Sequence, residues 1–244
     1  RGREAALPAV VLTFEPHPRA YFHPAEAPAR LMRLRDKAEW LAENGIAELR
    51  VLRFNAALIA MDAVRYIDRY LVQGLGARQV VIGEDFRFGK GRGGDAALLR
   101  REGAARGFGV DVVPPFQVDG EPASSTRIRA ALAAGRMADA RALLGRDYRI
   151  SGRVMRGERV GTQLGFPTAN IRLHRLVSPL DGIFAVRVSG AGLSLRPAVA
   201  SVGTRPPVGG GERLLEVHVF DFDGELYGRR LAVASSPIEE SSLS

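Results

Sequence analysis

Along the first 145 residues, short apolar runs alternate with stretches whose apolar positions recur every three or four residues. The runs "AVVLTF" (9–14), "ELRVLRF" (48–54), "RQVVIG" (78–83) and "FGVDVVP" (108–114) have the length and β-branched content of strands. Between them, "RDKAEWLAENG" closes on Gly45, "DAVRYIDRYLVQG" opens at Asp62 and closes on Gly74, and "GDAALLRREGAARG" opens at Asp95. Each reads as a helix with a plausible cap. Parallel strands joined by crossover helices predict a doubly wound, Rossmann-like α/β domain. After "MADARALLGRDY" the period changes. From Tyr148 onward, "YRISGRVM", "GIFAVRVSG", "LRPAVASVG", "RLLEVHVFDF" and "ELYGRRLAVA" alternate or run apolar over strand lengths, with no helix between them. Asp223-Gly224 is a hairpin signal between the last two. Strands at this spacing predict a small closed barrel, with the boundary near residues 145–149.

The stretch "GERVGTQLGFPTANI" (157–171) fits neither pattern. Gly157, Gly161 and Gly165 would each cost a helix about 1 kcal/mol relative to alanine, and Pro167 would break it. A loop follows. Its glycines let the backbone approach a ligand closely, and Thr168 and Asn170 supply oxygens suited to phosphate or a phosphate-bound cation. A plain Gly-Pro turn between strands is the alternative.

In open α/β sheets ligands sit beyond the carboxyl ends of the strands. There this chain has "EPHPRAYF", "EDFRFGKGRGGD" and "FQVDGEPASSTRIRAAL". Ser124, Ser125 and Thr126 begin a helix with Arg127 and Arg129 just inside it, which suits either a phosphate clamp or a simple N-cap. "GKGRGG" (89–94) lacks P-loop spacing and reads as an arginine-bearing loop. His17, His23, His174 and His218 have no metal-ligand spacing. Trp40 and Tyr66 lie on helices, where packing explains them.

Composition narrows the classes. The 244 residues are 46% hydrophobic and 25% charged, which describes an ordinary globular protein long enough for two domains. The absence of cysteine removes disulfides, thiolate metal sites and a cysteine nucleophile together. No apolar run approaches a membrane span, and the N-terminal residues lack a signal-peptide pattern, so a cytoplasmic protein is expected. The formal charge of +8 comes almost wholly from scattered arginines, and aromatic residues make up only 7%. That argues against a nucleic-acid surface of interleaved basic and aromatic side chains.

Six motifs in chain order, "TFEPHP", "GEDFRFG", "SSTRIR", "GTQLGFPTAN", "SVGTRPPVGGG" and "LEVHVFDFDGELYG", resemble those of the bacterial bifunctional riboflavin kinase/FMN adenylyltransferase (FAD synthetase) family. The resemblance runs from about Leu7 to Val233. It implies an α/β plus all-β chain: a Rossmann-like nucleotidyltransferase domain over residues 1–146 and a six-stranded riboflavin kinase barrel over 147–244. The first would transfer AMP from ATP to FMN and release pyrophosphate. The second would phosphorylate riboflavin with ATP and Mg²⁺. The resemblance assigns Ser125, Thr126 and Arg129 to ATP phosphates, and Asp85 and Phe86 to the flavin. It makes the loop of Gly157, Gly161 and Gly165 a cover for the nucleotide, sets Thr168 and Asn170 at Mg²⁺ and phosphate, and makes Glu216 the catalytic base. By strand alternation Glu216 and His218 share one face and Leu215, Val217 and Val219 the other. Without the motif, Glu216 would read as a solvated strand residue.

The assignment expects Glu216 and Thr168 to share a cavity. The expected partners are riboflavin, FMN and ATP, without nucleic acid or membrane. The chain departs from the family pattern in three places. It shows no His-x-Gly-His signature, so the first strand is expected to be lacking and FMN adenylylation negligible. It ends in "ASSPIEESSLS", where the family continues into a basic segment and a helix, which reads as truncation at both ends. It carries Thr162 where the family often has arginine. An inactive flavin- or nucleotide-binding remnant and a basic nucleic-acid-binding barrel remain as alternatives.

Overall fold

The four apolar runs of the first half become parallel strands in the computed structural model, which describes residues 6–155, 168–173, 178–204 and 213–235. Strand β1 (Val10–Glu15) pairs with β2 (Glu48–Arg53), and β3 (Gln79–Gly83) pairs with β4 (Gly109–Val113). The chain forms two compact units, Arg1–Ala27 with Asn44–Pro122 and Pro28–Glu43 with Ala123–Ser244.

In the first unit, α1 (Pro18–Phe22) follows β1. Helices α3 (Ala56–Ile59) and α4 (Ala63–Tyr66), the latter continued by π-helical turns over Ile67–Gln73, lead to β3. Helix α5 (Ala96–Arg106) leads from β3 to β4. The caps are those the sequence announces. Asp62 accepts from the Arg65 amide at 2.8 Å, Asp95 accepts from Leu98 at 2.8 Å, and Gly107 closes α5 in the left-handed conformation at φ 78°. Tyr66, Ile67, Ile82, Phe88, Leu99 and Phe108 form the buried core, so Tyr66 packs as expected.

The second unit gathers α2 (Leu34–Glu43), α6 (Ser125–Ala133), α7 (Met137–Leu144) and a closed barrel. Its strands are β7 (Arg149–Met155), β8 (Ala169–Arg172), β9 (Gly182–Gly190), β10 (Leu193–Thr204), β11 (Arg213–Val219) and β12 (Arg230–Ser235). The short β5 (Gln117–Val118) and β6 (Glu121–Pro122) form a separate hairpin. All barrel pairs are antiparallel, in the order β10-β11-β8-β7-β12-β9, and closure leaves no edge to protect. Inward residues follow the period of two: Ile150 and Val154, Ile171, Val186 and Val188, Leu215, Val217 and Val219, Leu231 and Val233. Gly152 falls on that inward series of β7, and a side chain there would strike Ile171.

Two sequence expectations change here. β8, only four residues long, takes the place of what the sequence presents as the end of a loop. Asp223-Gly224 does not close a hairpin, because β11 pairs with β10 and β8, whereas β12 pairs with β7 and β9. The pair instead lies in a connection between strands that are not neighbours.

Candidate functional site

The short β8 sets the geometry of the site. Its antiparallel register places Asn170 opposite Glu216 of β11, and β10 places Ser201 on the other side of Glu216. Met155, the last residue of β7, stands opposite Asn170. Alternation sends Ala169, Ile171, Leu215 and Val217 into the core and leaves Asn170, Glu216 and His218 on the opposite face. The expected division of faces on β11 is therefore observed.

Asn170 is nevertheless 6% exposed. Its Nδ2 donates to the Thr168 carbonyl at 3.3 Å, and its Oδ1 is buried without a hydrogen-bond partner. An orphaned buried acceptor costs about 1–3 kcal/mol, so such atoms call for an explanation. An amide oxygen held beside a carboxylate is a donor set suited to a hard cation such as Mg²⁺, which takes oxygen ligands. The residues present therefore fit the metal that the resemblance implies.

A cavity of about 290 Å³ opens at this end of the barrel. It is lined by Val154 of β7, by Thr168 and Ala169, by Val217 and Val219 of β11, and by the connection from Phe222 to Tyr227. Its lining combines apolar and aromatic residues with Thr168, Asp223 and Glu225. Asn170 and Glu216 are not among the lining residues. Thr168 precedes β8 and is not bound by its alternation, so it borders the cavity while Asn170 and Glu216 stand on the other side of the β8–β11 ribbon. The expectation that Glu216 and Thr168 share a cavity is therefore not met: Thr168 lines the cavity and Glu216 does not, because Glu216 follows the outward alternation of β11, where the register brings it together with Asn170. Gly157, Gly161 and Gly165 lie outside the described residues.

The remaining candidates divide between the units. In the second, Ser124 caps α6 by accepting from the Arg127 amide at 3.2 Å, and Ser125 and Thr126 are exposed on the first turn. Arg129 donates through Nε to the Ala29 carbonyl at 2.6 Å. In the first unit, Asp85 is exposed just after β3, and Phe86 stacks on the buried Phe88 with ring centroids 5.5 Å apart.

One group went unmarked in the sequence. Beyond the carboxyl ends of β1 and β2, Phe54 meets Tyr21, Phe22 and Phe14 edge to face at 5.4, 5.7 and 6.0 Å. Phe22 is 55% exposed and Tyr21 40%. Exposed rings at the ligand-binding end of parallel strands offer a flat surface to a planar aromatic molecule. The available signal was that "PRAYF" and "RFN" both place aromatics directly after strands.

A family model described as FAD synthetase matches residues 1–127, and one described as riboflavin kinase matches residues 144–236. The bifunctional riboflavin kinase/FMN adenylyltransferase of Escherichia coli (strain K12) is 44% identical over 232 residues, covering 95% of this chain and 74% of that protein. The protein of the same description from Pseudomonas fluorescens is 44% identical over 234 residues, covering 96% and 75%. That from Haemophilus influenzae is 43% identical over 233 residues, covering 96% and 76%. A crystal structure reported as a macrolide-efflux protein from Streptococcus pneumoniae superposes with a TM-score of 0.78 at 28% identity, covering 99% of this chain and 81% of that one.

Proposed function

The chain belongs to the bifunctional riboflavin kinase/FMN adenylyltransferase family, and on that premise we propose how its residues divide the work. The family makes flavin cofactors with ATP as co-substrate, and both of its domains are present. Neither the remnant reading nor the nucleic-acid reading is favoured by these matches.

In the barrel, the cavity beside Thr168 seats the nucleotide. Thr168 and Asn170 hold Mg²⁺, which when bound neutralises charge on the triphosphate. Glu216 is the general base. The terminal ribityl hydroxyl of riboflavin attacks the γ-phosphorus, the new O–P bond forms as the β–γ bridging bond breaks, and Glu216 takes the hydroxyl proton. The products are FMN and ADP. A loose phosphoryl-transfer transition state leaves the protein mainly positioning and charge to supply, and a carboxylate fixed on a strand supplies both. The observation that carries this reading is the buried, unsatisfied Asn170 Oδ1 directly opposite Glu216.

For adenylyl transfer, Ser125, Thr126 and Arg129 hold ATP phosphates, where the amides of the first turn of α6 add their positive end. Asp85 and Phe86 meet the flavin, and the Tyr21, Phe22 and Phe54 rings offer its isoalloxazine a surface. Among the described residues no helix is long and apolar enough to cross a membrane, and a cytoplasmic location goes with this reading.

The test is to incubate the full chain with riboflavin, ATP and Mg²⁺ and separate the flavins. FMN should form, and Glu216→Gln should lower kcat by about 10²–10⁴ while leaving the KM for ATP within about twofold. A Glu216→Gln enzyme with unchanged kcat would remove Glu216 from the chemistry.

A further inference from the structure

Helix α2 lies within the residues matched by the FAD synthetase model, yet it belongs to the same compact unit as the barrel. Asp36, Glu39 and Glu43 follow one another at spacings of three and four, which puts three carboxylates on one face. That face meets β7 and β12. Ser151 donates to Asp36 Oδ1, and Arg230 Nη2 reaches Asp36 Oδ1 at 3.1 Å, Glu39 Oε2 at 3.1 Å and Ser151 Oγ at 2.7 Å. Arg33 Nε donates to Asp36 Oδ2 at 3.1 Å. Asp36 and Ser151 are 6% and 4% exposed. A carboxylate this buried is costly unless both oxygens are satisfied, and here both are. At the far end of β7, Arg149 pairs with Glu43 at 3.1 Å, in a more exposed setting.

The two segments held by Asp36 are also two walls of the cavity. Three residues along β7 from Ser151 stands Val154, and just before Arg230 come Leu226 and Tyr227, all of which line it. The two walls are joined, since Val154 donates to the Arg229 carbonyl at 2.8 Å and accepts from the Gly228 amide at 2.9 Å. Arg149 and Glu43 have no such neighbours in the cavity lining.

We propose that Asp36, Ser151 and Arg230 are positioning residues for the kinase nucleotide: through them, helix α2 fixes the Val154 and Leu226–Tyr227 walls and so sets affinity for ATP. This rests on the reading that the cavity beside Thr168 seats the nucleotide. A helix from the part of the chain that matches the adenylyltransferase model thereby tunes the kinase.

The experiment uses the full chain. Asp36→Asn keeps the shape and removes the charge, Ser151→Ala is a milder cut of the same cluster, and Glu43→Ala breaks a bridge between the same helix and strand away from the cavity. For each, the measurements are KM for ATP, kcat, the thermal midpoint, and equilibrium binding of a fluorescent ADP analogue. Asp36→Asn and Ser151→Ala should weaken both KM for ATP and analogue binding by about fivefold or more, with kcat within about twofold. Glu43→Ala should lower the midpoint and leave both nucleotide constants at the wild-type value. Equal midpoint losses in Asp36→Asn and Glu43→Ala with unchanged nucleotide constants would make the cluster purely structural and overturn the proposal, while leaving the kinase assignment standing. A wild-type chain that neither makes FMN nor binds the analogue would overturn the cavity reading and the proposal with it.

Discussion

Replacing Asn170 with leucine separates a residue kept for ligand binding from one kept for folding. Leucine has nearly the shape of asparagine but no polar atoms. In the native chain the Oδ1 atom is buried and unsatisfied, at a cost of about 1–3 kcal/mol. Against that stands one long bond, Nδ2 to the Thr168 carbonyl at 3.3 Å, worth about 0.5–1.5 kcal/mol net. Asn170→Leu removes both, so without ligand it should be neutral or stabilised by up to about 2 kcal/mol. At about 4 °C per kcal/mol, the thermal midpoint should stay level or rise by several degrees. With Mg²⁺ and ADP at about 100 times Kd, linkage should stabilise the wild type by about 2.7 kcal/mol, a shift of roughly 10 °C. The variant should show much less of that shift, and chelating the metal should change it little. Calorimetry or dye-monitored melting with and without Mg²⁺ and ADP reads both quantities. A variant that loses more than about 1 kcal/mol without ligand yet keeps the full ligand shift would refute the reasoning, because the Asn170 amide would then be serving the fold.

Two further outcomes follow from the other clusters. Burial of Asp36 pushes its carboxyl up, but the hydrogen bonds from Ser151 and Arg33 and the Arg33 charge outweigh it and hold the pKa below the ordinary range. A lowered folded-state pKa gives stability that is present above the unfolded value of about 3.9 and is lost as pH falls through the folded one. Wild type should therefore lose more of its thermal midpoint between pH 6 and pH 3 than Asp36→Asn, and equal losses would count against the cluster. In the first unit, Phe22→Ala should weaken FMN binding, read by quenching of flavin fluorescence, by about 3- to 10-fold, the worth of an aromatic pair. Unchanged binding would remove the exposed rings from the flavin surface.

What was legible in the sequence was local. Asp62 and Asp95 accept amide protons three residues ahead, so the residues that define those caps are adjacent in the chain. The period of two from Tyr148 onward likewise gives the inward faces of the longer strands. β8 escaped because Ala169–Arg172 offers four residues, too few to establish a period beside three glycines and a proline. Asp223-Gly224 misled because turn chemistry reports a reversal and not which strands pair, and a barrel can send a chain past its neighbours. Asp36 was invisible for a different reason. A carboxylate on a helix reads as a solvated residue, and besides the nearby Arg33 it is Ser151 and Arg230, more than a hundred positions away, that make its burial tolerable. The Tyr21–Phe54 contact is of the same kind, since each ring alone is an ordinary aromatic near the end of a strand.

The separation of Thr168, which precedes β8 and escapes its alternation, from Glu216 bears directly on the proposed chemistry. Ala169 opposite Val217 is the last pair of the β8–β11 ribbon, and Asn170 opposite Glu216 is the one before it. Both Ala169 and Val217 line the cavity, so the ribbon stops at the cavity's rim. A triphosphate leaving that cavity need not cross the sheet to reach Glu216. On the proposed reading it would turn around the ribbon's end at Thr168 and meet Asn170 two residues on, about 7 Å along an extended chain. On that reading the nucleoside would stay on the apolar side, and the charged phosphates would reach the face that carries the buried Asn170 amide oxygen and the Glu216 carboxylate. The alternation that hides Val217 in the core is also what sets Glu216 apart from the cavity, so under the proposed chemistry the base would meet the γ-phosphate only at the ribbon's end.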